Sequence, residues 1–264
     1  PPPPPPPPAQ LLIDVTKTYQ TIHGFGAALV VWDDPHLSNT PTTTVPLAAQ
    51  TTILTQLYTD LGLTRVRPII QGLGVEPVND NADPFTFNWP AFNFAWKRTD
   101  AHAAFVIQAR PFGLTTWFPV EITPPTWQTE ATVDESVELA LAQLIRWKQL
   151  GVEPPYYSPM NEPGAAAQFR SPAWFVEMTK RLGARMRAEG IQTMLMLPDD
   201  IGPAVALPRA QAVLADPVAR QYVGALAYHL YWDNGPSNLL AMKALAAQYN
   251  LPLWMTEYGG SQFR

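Results

Sequence analysis

The chain has 264 residues, 47% of them hydrophobic, a net charge of −5 and no cysteine. The length and apolar content suit one sizeable core, the acidic balance argues against nucleic acid or an anionic membrane surface as partner, and the lack of cysteine excludes disulfides and thiolate metal sites. No apolar run approaches the roughly 18 residues of a membrane-spanning helix, and no signal peptide or N-glycosylation sequon is visible.

Residues 1–10 begin with eight consecutive prolines. Such a run favours an extended polyproline II rod, and we read it as a linker or tag stub. Beyond it, strand-like and helix-like segments alternate. Strands are expected at 11–16, 21–31, 64–70, 103–110, 155–160, 192–198, 223–231 and 252–256. Helical spacing marks 45–61, 133–150 (with Asp134 as its cap), 172–189, 238–249 and, more weakly, 208–222. Residues 76–96 read as a long loop. Strands separated by helices mean βαβ units and a parallel sheet. No phosphate-binding glycine loop follows any strand, so a (β/α) barrel is favoured over a nucleotide-binding fold. From residue 21 onward seven barrel strands can be counted.

Barrel enzymes place their chemistry at the C-terminal ends of strands. Those ends hold Trp32, Asp33 and Asp34; Arg65 and Arg67; Thr116, Trp117 and Phe118; Asn161 and Glu162; Asp199 and Asp200; His229, Tyr231 and Trp232; and Glu257 with Tyr258. Two glutamates on different strands, among aromatic rings and without metal-ligand spacing, suit glycoside hydrolysis, which needs one carboxylic acid and one carboxylate. No metal or other cofactor is expected. Bland alternatives stand beside these choices. A histidine on a core strand is more often a satisfied core residue, the tryptophans can simply pack, and Asp199 and Asp200 can cap a turn.

"SPMNEP" resembles the fourth-strand Asn-Glu-Pro motif of clan A glycoside hydrolases, and "LPLWMTEYGG" resembles their seventh-strand segment. "YQTIHGFGAALVVW", "GLTRVRPII" and "AYHLYW" are similar to the first, second and sixth strands of glycoside hydrolase family 30. The resemblance implies a TIM-type (β/α)8 barrel and a retaining β-glycosidase. Glu162 would be the acid/base and Glu257 the nucleophile. Asn161 would meet the sugar 2-hydroxyl, and Arg65 would lie beneath Glu257, unless Arg67, on the same strand face, does so in its place. His229 or Tyr231 would hold a carboxylate, and Trp32, Trp117 and Trp232 would be sugar platforms. In this family Glu162 should keep its proton while Glu257 is ionised.

The expected barrel, residues 21–264, stops after its seventh strand, and residues 11–20 resemble the first strand of the family's side β-domain. A further C-terminal segment or a second chain is therefore expected to complete the barrel. The third-strand run "TTWFPVEITPPTW" departs from the family's Trp-Ser-Pro-Pro and leaves the β-glycan undefined. An oligo- or polysaccharide substrate and the proline stub suggest a secreted protein. A cellulase-like family 5 endo-glycanase and a non-catalytic carbohydrate-binding barrel are the alternatives.

Overall fold

A computed structural model describes residues 14–29, 32, 45–95, 99–165, 168–231 and 235–258. Its strands are β1 (Gly26–Leu29), β2 (Arg65–Ile70), β3 (Thr116–Trp117), β4 (Val120–Glu121), β5 (Tyr156–Tyr157), β6 (Met194–Asp200), β7 (Val223–His229) and β8 (Leu253–Glu257). Every pairing is parallel. Thr116 lies opposite Arg65 and Val120 opposite Ile69, so β3 and β4 are the two halves of one barrel strand. The order β1–β2–β3/β4 continues into β5–β6–β7–β8 through a bridge between Val120 and Ser158.

Between the strands run α1 (Leu47–Leu54), which passes into a π-helical turn, α2 (Gly72–Val75), α3 (Thr99–Ala109), α4 (Val133–Gln149), α5 (Pro172–Ala188), α6 (Pro203–Ala215) and α7 (Pro236–Gln248). Their ends follow from local chemistry. In α4, Asp134 and Glu135 occupy the first turn and Arg146 and Lys148 the last, matching the helix dipole at both ends. Position 132 precedes the helix, so Asp134 lies inside it and is not the cap. In α5 the Ser171 hydroxyl accepts from the Trp174 amide at 3.1 Å, and Pro172 fills the first helical position, where no amide hydrogen is needed.

Two apolar layers result. One is a large core between strands and helices, with Trp117, Trp147, Tyr157, Phe175 and Leu195 fully or almost fully buried. The other is a small cluster of Phe118, Met196, Ala225 and Ala227 with Tyr156 and Trp254 against it. In a βα barrel the latter is the packed interior that supports the catalytic end.

The structure corrects the strand expected at 103–110. His102, Ala103, Phe105, Val106 and Ala109 are buried at helical spacing, and the segment is the body of α3. An apolar run this short fits either period, and the third barrel strand lies beyond it at 116–121. Of the strand expected at 11–16, the described residues 14–16 form a turn that Lys17 N–H closes onto the Asp14 carbonyl at 3.2 Å. Among the described residues, β1 and β8 do not pair with each other, and Ala27, Ala28 and Met255 on these outer strands are exposed.

Candidate active site

The site sits where β2, β5, β6, β7 and β8 end. After β5 the chain runs through Ser158 and Met160 to Asn161 and Glu162. Two backbone bonds fix that passage: Asn161 N–H donates to the Glu121 carbonyl at 2.7 Å, and Glu162 N–H donates to the Asp199 carbonyl at 3.0 Å. Both Glu162 (φ 49°) and Asp199 (φ 58°) adopt the left-handed backbone region, which costs free energy for a residue with a side chain and recurs where a site dictates the geometry. Gly164 follows because nothing larger fits: a Cβ there would lie 2.8 Å from Asp200 Oδ1, which accepts the Gly164 amide at 2.9 Å. Asp200 also pairs with Arg209 at 3.1 Å, and Arg209 Nη2 donates to the Pro163 carbonyl at 3.1 Å. The Asn-Glu-Pro-Gly turn is thus clamped from below by a buried ion pair.

Glu257, the last residue of β8, faces Glu162 across the pocket. One carboxylate oxygen of each, together with a ring nitrogen of His229, all lie within 4.8 Å of one another. Arg67 Nη1 donates to Glu257 Oε2 at 2.8 Å, and the Tyr231 hydroxyl donates to Glu257 Oε1 at 2.6 Å. Arg67 Nη2 donates to Asn161 Oδ1 at 2.7 Å and to Asp199 Oδ2 at 3.1 Å. His229 is fully buried between two carboxylates, its Nδ1 3.0 Å from Glu162 Oε1 and its Nε2 3.2 Å from Asp199 Oδ1. Both glutamates keep part of their surface in solvent, 23% for Glu162 and 29% for Glu257, so they line an opening while the groups beneath them are dry.

The charges of that buried layer depend on one another. Burial alone would raise the Asp199 carboxyl, but the Arg67 charge and the hydrogen bonds from His229 and Thr256 hold it well below the usual carboxylate range. Burial would lower His229, but its hydrogen bonds to Asp199 and Glu162 push it up to about 9. Desolvation and the bond to Glu257 push the Tyr231 hydroxyl up to about 12, which keeps it a donor.

Asn161, Glu162, His229, Tyr231 and Glu257 therefore meet in one pocket. Arg65 does not join them. Its side chain donates to the His23 carbonyl at 2.8 Å and lies over the Trp254 ring at 4.4 Å, below the interior cluster, and the arginine on Glu257 is Arg67. A strand fixes which face a side chain takes but not its depth, and two residues are about 6.6 Å of strand. Trp117 faces the helix layer, edge-on to Trp147 and 2% exposed. Trp32 packs on Phe105 of α3 and donates to Gln108. Trp117 is thus held in the core between strands and helices. Trp232, Asp33 and Asp34 lie outside the described residues. Asp199 was missed as a site residue because an Asp pair after a strand reads as a turn; its one signal was its place at a strand end beside the other candidates.

No family model matches the chain, and no curated protein sequence matches it. Solved structures do. The chain superimposes on the family 30 subfamily 8 xylanase Xyn30A from Clostridium acetobutylicum with a TM-score of 0.62 at 19% identity, covering 91% of this chain and 57% of that one. On the endo-β-1,6-glucanase BT3312 the TM-score is 0.69 at 18% identity, with 95% and 60% covered. On the endo-β-1,4-glucanase Xac0029 from Xanthomonas axonopodis pv. citri it is 0.56 at 13% identity, with 90% and 79% covered. The chain thus spans well under two thirds of the first two structures. Its fold is the TIM-type barrel seen in these glycoside hydrolase structures.

Proposed function

We propose that the protein is a retaining β-glycoside hydrolase of the family 30 type, acting on a β-linked glycan. The observation that carries this reading is that one carboxylate oxygen of Glu162 and one of Glu257 lie within 4.8 Å of each other. A separation near 5 Å suits a carboxylate that attacks the sugar directly, whereas a gap above about 6.5 Å leaves room for an intervening water. A glycoside hydrolase fold supports the same reading.

In the first step a Glu257 oxygen attacks the anomeric carbon, the glycosidic C–O bond breaks, and the departing oxygen takes the proton of Glu162. In the second, Glu162 takes a proton from water, the water oxygen attacks the anomeric carbon, and the ester to Glu257 breaks. Arg67 and Tyr231 hold Glu257 in line with two donors, so its attack needs little reorganisation. Asn161 has its Oδ1 occupied by Arg67; its amide hydrogens remain for the 2-hydroxyl of the sugar. His229 Nδ1 holds Oε1 of Glu162 at 3.0 Å, which leaves Oε2 to face the leaving oxygen. A polymeric substrate supports action outside the cell. A β-1,4-glucan is the alternative substrate, suggested by the shared fold of the endo-β-1,4-glucanase Xac0029.

The test is turnover of aryl β-glycosides. We expect Glu257→Ala to abolish it and azide to restore it with formation of an α-glycosyl azide. Wild-type protein that binds glycans but releases no aglycone would make it a binding barrel instead. A panel of xylan, β-1,6-glucan, β-1,6-galactan and β-1,4-glucan then separates the substrates.

A further inference from the structure

Beneath the two glutamates lies a third carboxylate that the reaction above does not use. Asp199, next to last in β6, is completely buried and sits in the left-handed backbone region. Its Oδ2 accepts from Arg67 at 3.1 Å, and its Oδ1 accepts from His229 at 3.2 Å and from the Thr256 hydroxyl. Arg67 Nη2 and His229 Nε2 stand only 3.3 Å apart. When His229 is protonated, two cations at that distance repel each other, and Asp199, bonded to both, is the anion that offsets the repulsion.

Each donor also reaches upward to a different glutamate. Arg67 addresses Glu257, and His229 addresses Glu162. The two links fork from one carboxylate. We propose that Asp199 is a positioning residue of this site: it fixes Arg67 and His229 side by side, so that one guanidinium orients Glu257 while one doubly protonated imidazole orients Glu162. This rests on the glycosidase reading for its consequence in catalysis, although the arrangement itself does not.

The charged and titratable groups facing His229 are Asp199 and, beyond it, Asp200 from β6, Glu162 from the turn after β5, Glu257 from β8, Arg67 from β2 and Tyr231 just past its own strand. Asp199 and Glu162 favour the imidazolium, and Arg67 together with burial opposes it. Removing the charge of Asp199 leaves the opposing pair dominant.

The experiment is an NMR titration of the His229 ring nitrogens in wild type and in Asp199→Asn, which keeps the shape and deletes the charge, joined to kinetics on an aryl β-glycoside. We expect wild-type His229 to carry protons on both nitrogens at pH 7.5 and to lose one near pH 9. In Asp199→Asn the midpoint falls by more than one pH unit, and kcat falls about 10- to 100-fold with KM within about threefold. An unchanged midpoint in the variant overturns the proposal. So does a neutral His229 in the wild type at pH 7.5, a measurement that holds even if the variant does not fold. If the midpoint falls but the wild type shows no turnover, the positioning role stands and the glycosidase reading is what fails.

Discussion

Arg65 and Arg67 point to the same face of β2, and only depth separates them. Arg67 reaches Glu257, Asn161 and Asp199 with a planar fork of donors, which a lysine ammonium cannot reproduce at three acceptors held in fixed directions. Arg67→Lys should therefore lower kcat/KM by about 100-fold or more, the scale of losing a preorganised donor at a developing charge. Arg65→Lys should stay within about threefold, because its hydrogen bond goes to the His23 carbonyl and its stacking partner is Trp254. Steady-state kinetics of the two variants decide it, and equal losses would refute this assignment. This pair also marks what the sequence could and could not disclose about the site. The two glutamates, Asn161, His229 and Tyr231 stand in segments with a legible strand-to-turn pattern. Which arginine meets Glu257 depends on the stagger between β2 and β8, set by strands distant in the chain. Asp199 was hidden for the same reason, since its partners Arg67, His229 and Thr256 come from three other strands.

Elements were easier to place than residues where the period was long and unambiguous. The expected helices at 133–150 and 172–189 match α4 and α5 closely, because each sustains one apolar face over many turns. The run at 103–110 carried too few periods to tell helix from strand, and the tryptophans at strand ends gave no sign of which layer they enter. Packing between elements also overrides local propensity in a testable way. Gly183 lies in the middle of α5, where alanine is ordinarily better by about 1 kcal/mol. Here a Cβ would fall 2.1 Å from Cγ of Tyr222, with both Cδ atoms of that ring also closer than van der Waals contact. The base of a ring cannot swing aside as a chain end can, and Arg187 lies over its face at 5.9 Å. Gly183→Ala should therefore destabilise by about 1–3 kcal/mol, the usual cost of overpacking, despite the gain in helix propensity. Chemical denaturation measures it, and a variant more stable than wild type would show that α5 and the segment after α6 separate easily.

Across the molecule, buried protons share one direction. Burial pushes Glu121 up to about 8 against the pull of Arg170, Glu76 up to about 9 with nearby Glu138 and Asp80 adding to it, and Glu138 up to about 7. Each of these folded-state values lies above that of the unfolded chain, so between them the folded protein holds protons that unfolding releases, and stability falls as pH rises. His229 acts in the same sense over a later window, its contribution being complete below about 6.5 and lost as pH rises through about 9. Asp199 acts oppositely: its folded value is depressed, so its contribution is present above the ordinary carboxylate range and lost only in strong acid. The stability maximum should therefore lie near pH 4–5, with a decline toward pH 9 of about 1.4 kcal/mol per pH unit for each proton held. Glu121 isolates one of them. Its carboxyl is 1% exposed, with neither oxygen hydrogen-bonded, and it rests where a Cβ on Gly72 would be. Glu121→Gln keeps the neutral shape and removes the proton. Thermal melts should show the variant close to wild type at pH 4.5 and more stable at pH 8, with the decline between them shallower by one proton. Parallel pH profiles for the two proteins would mean that Glu121 ionises in place, and that its surroundings admit charge or water that the buried geometry denies.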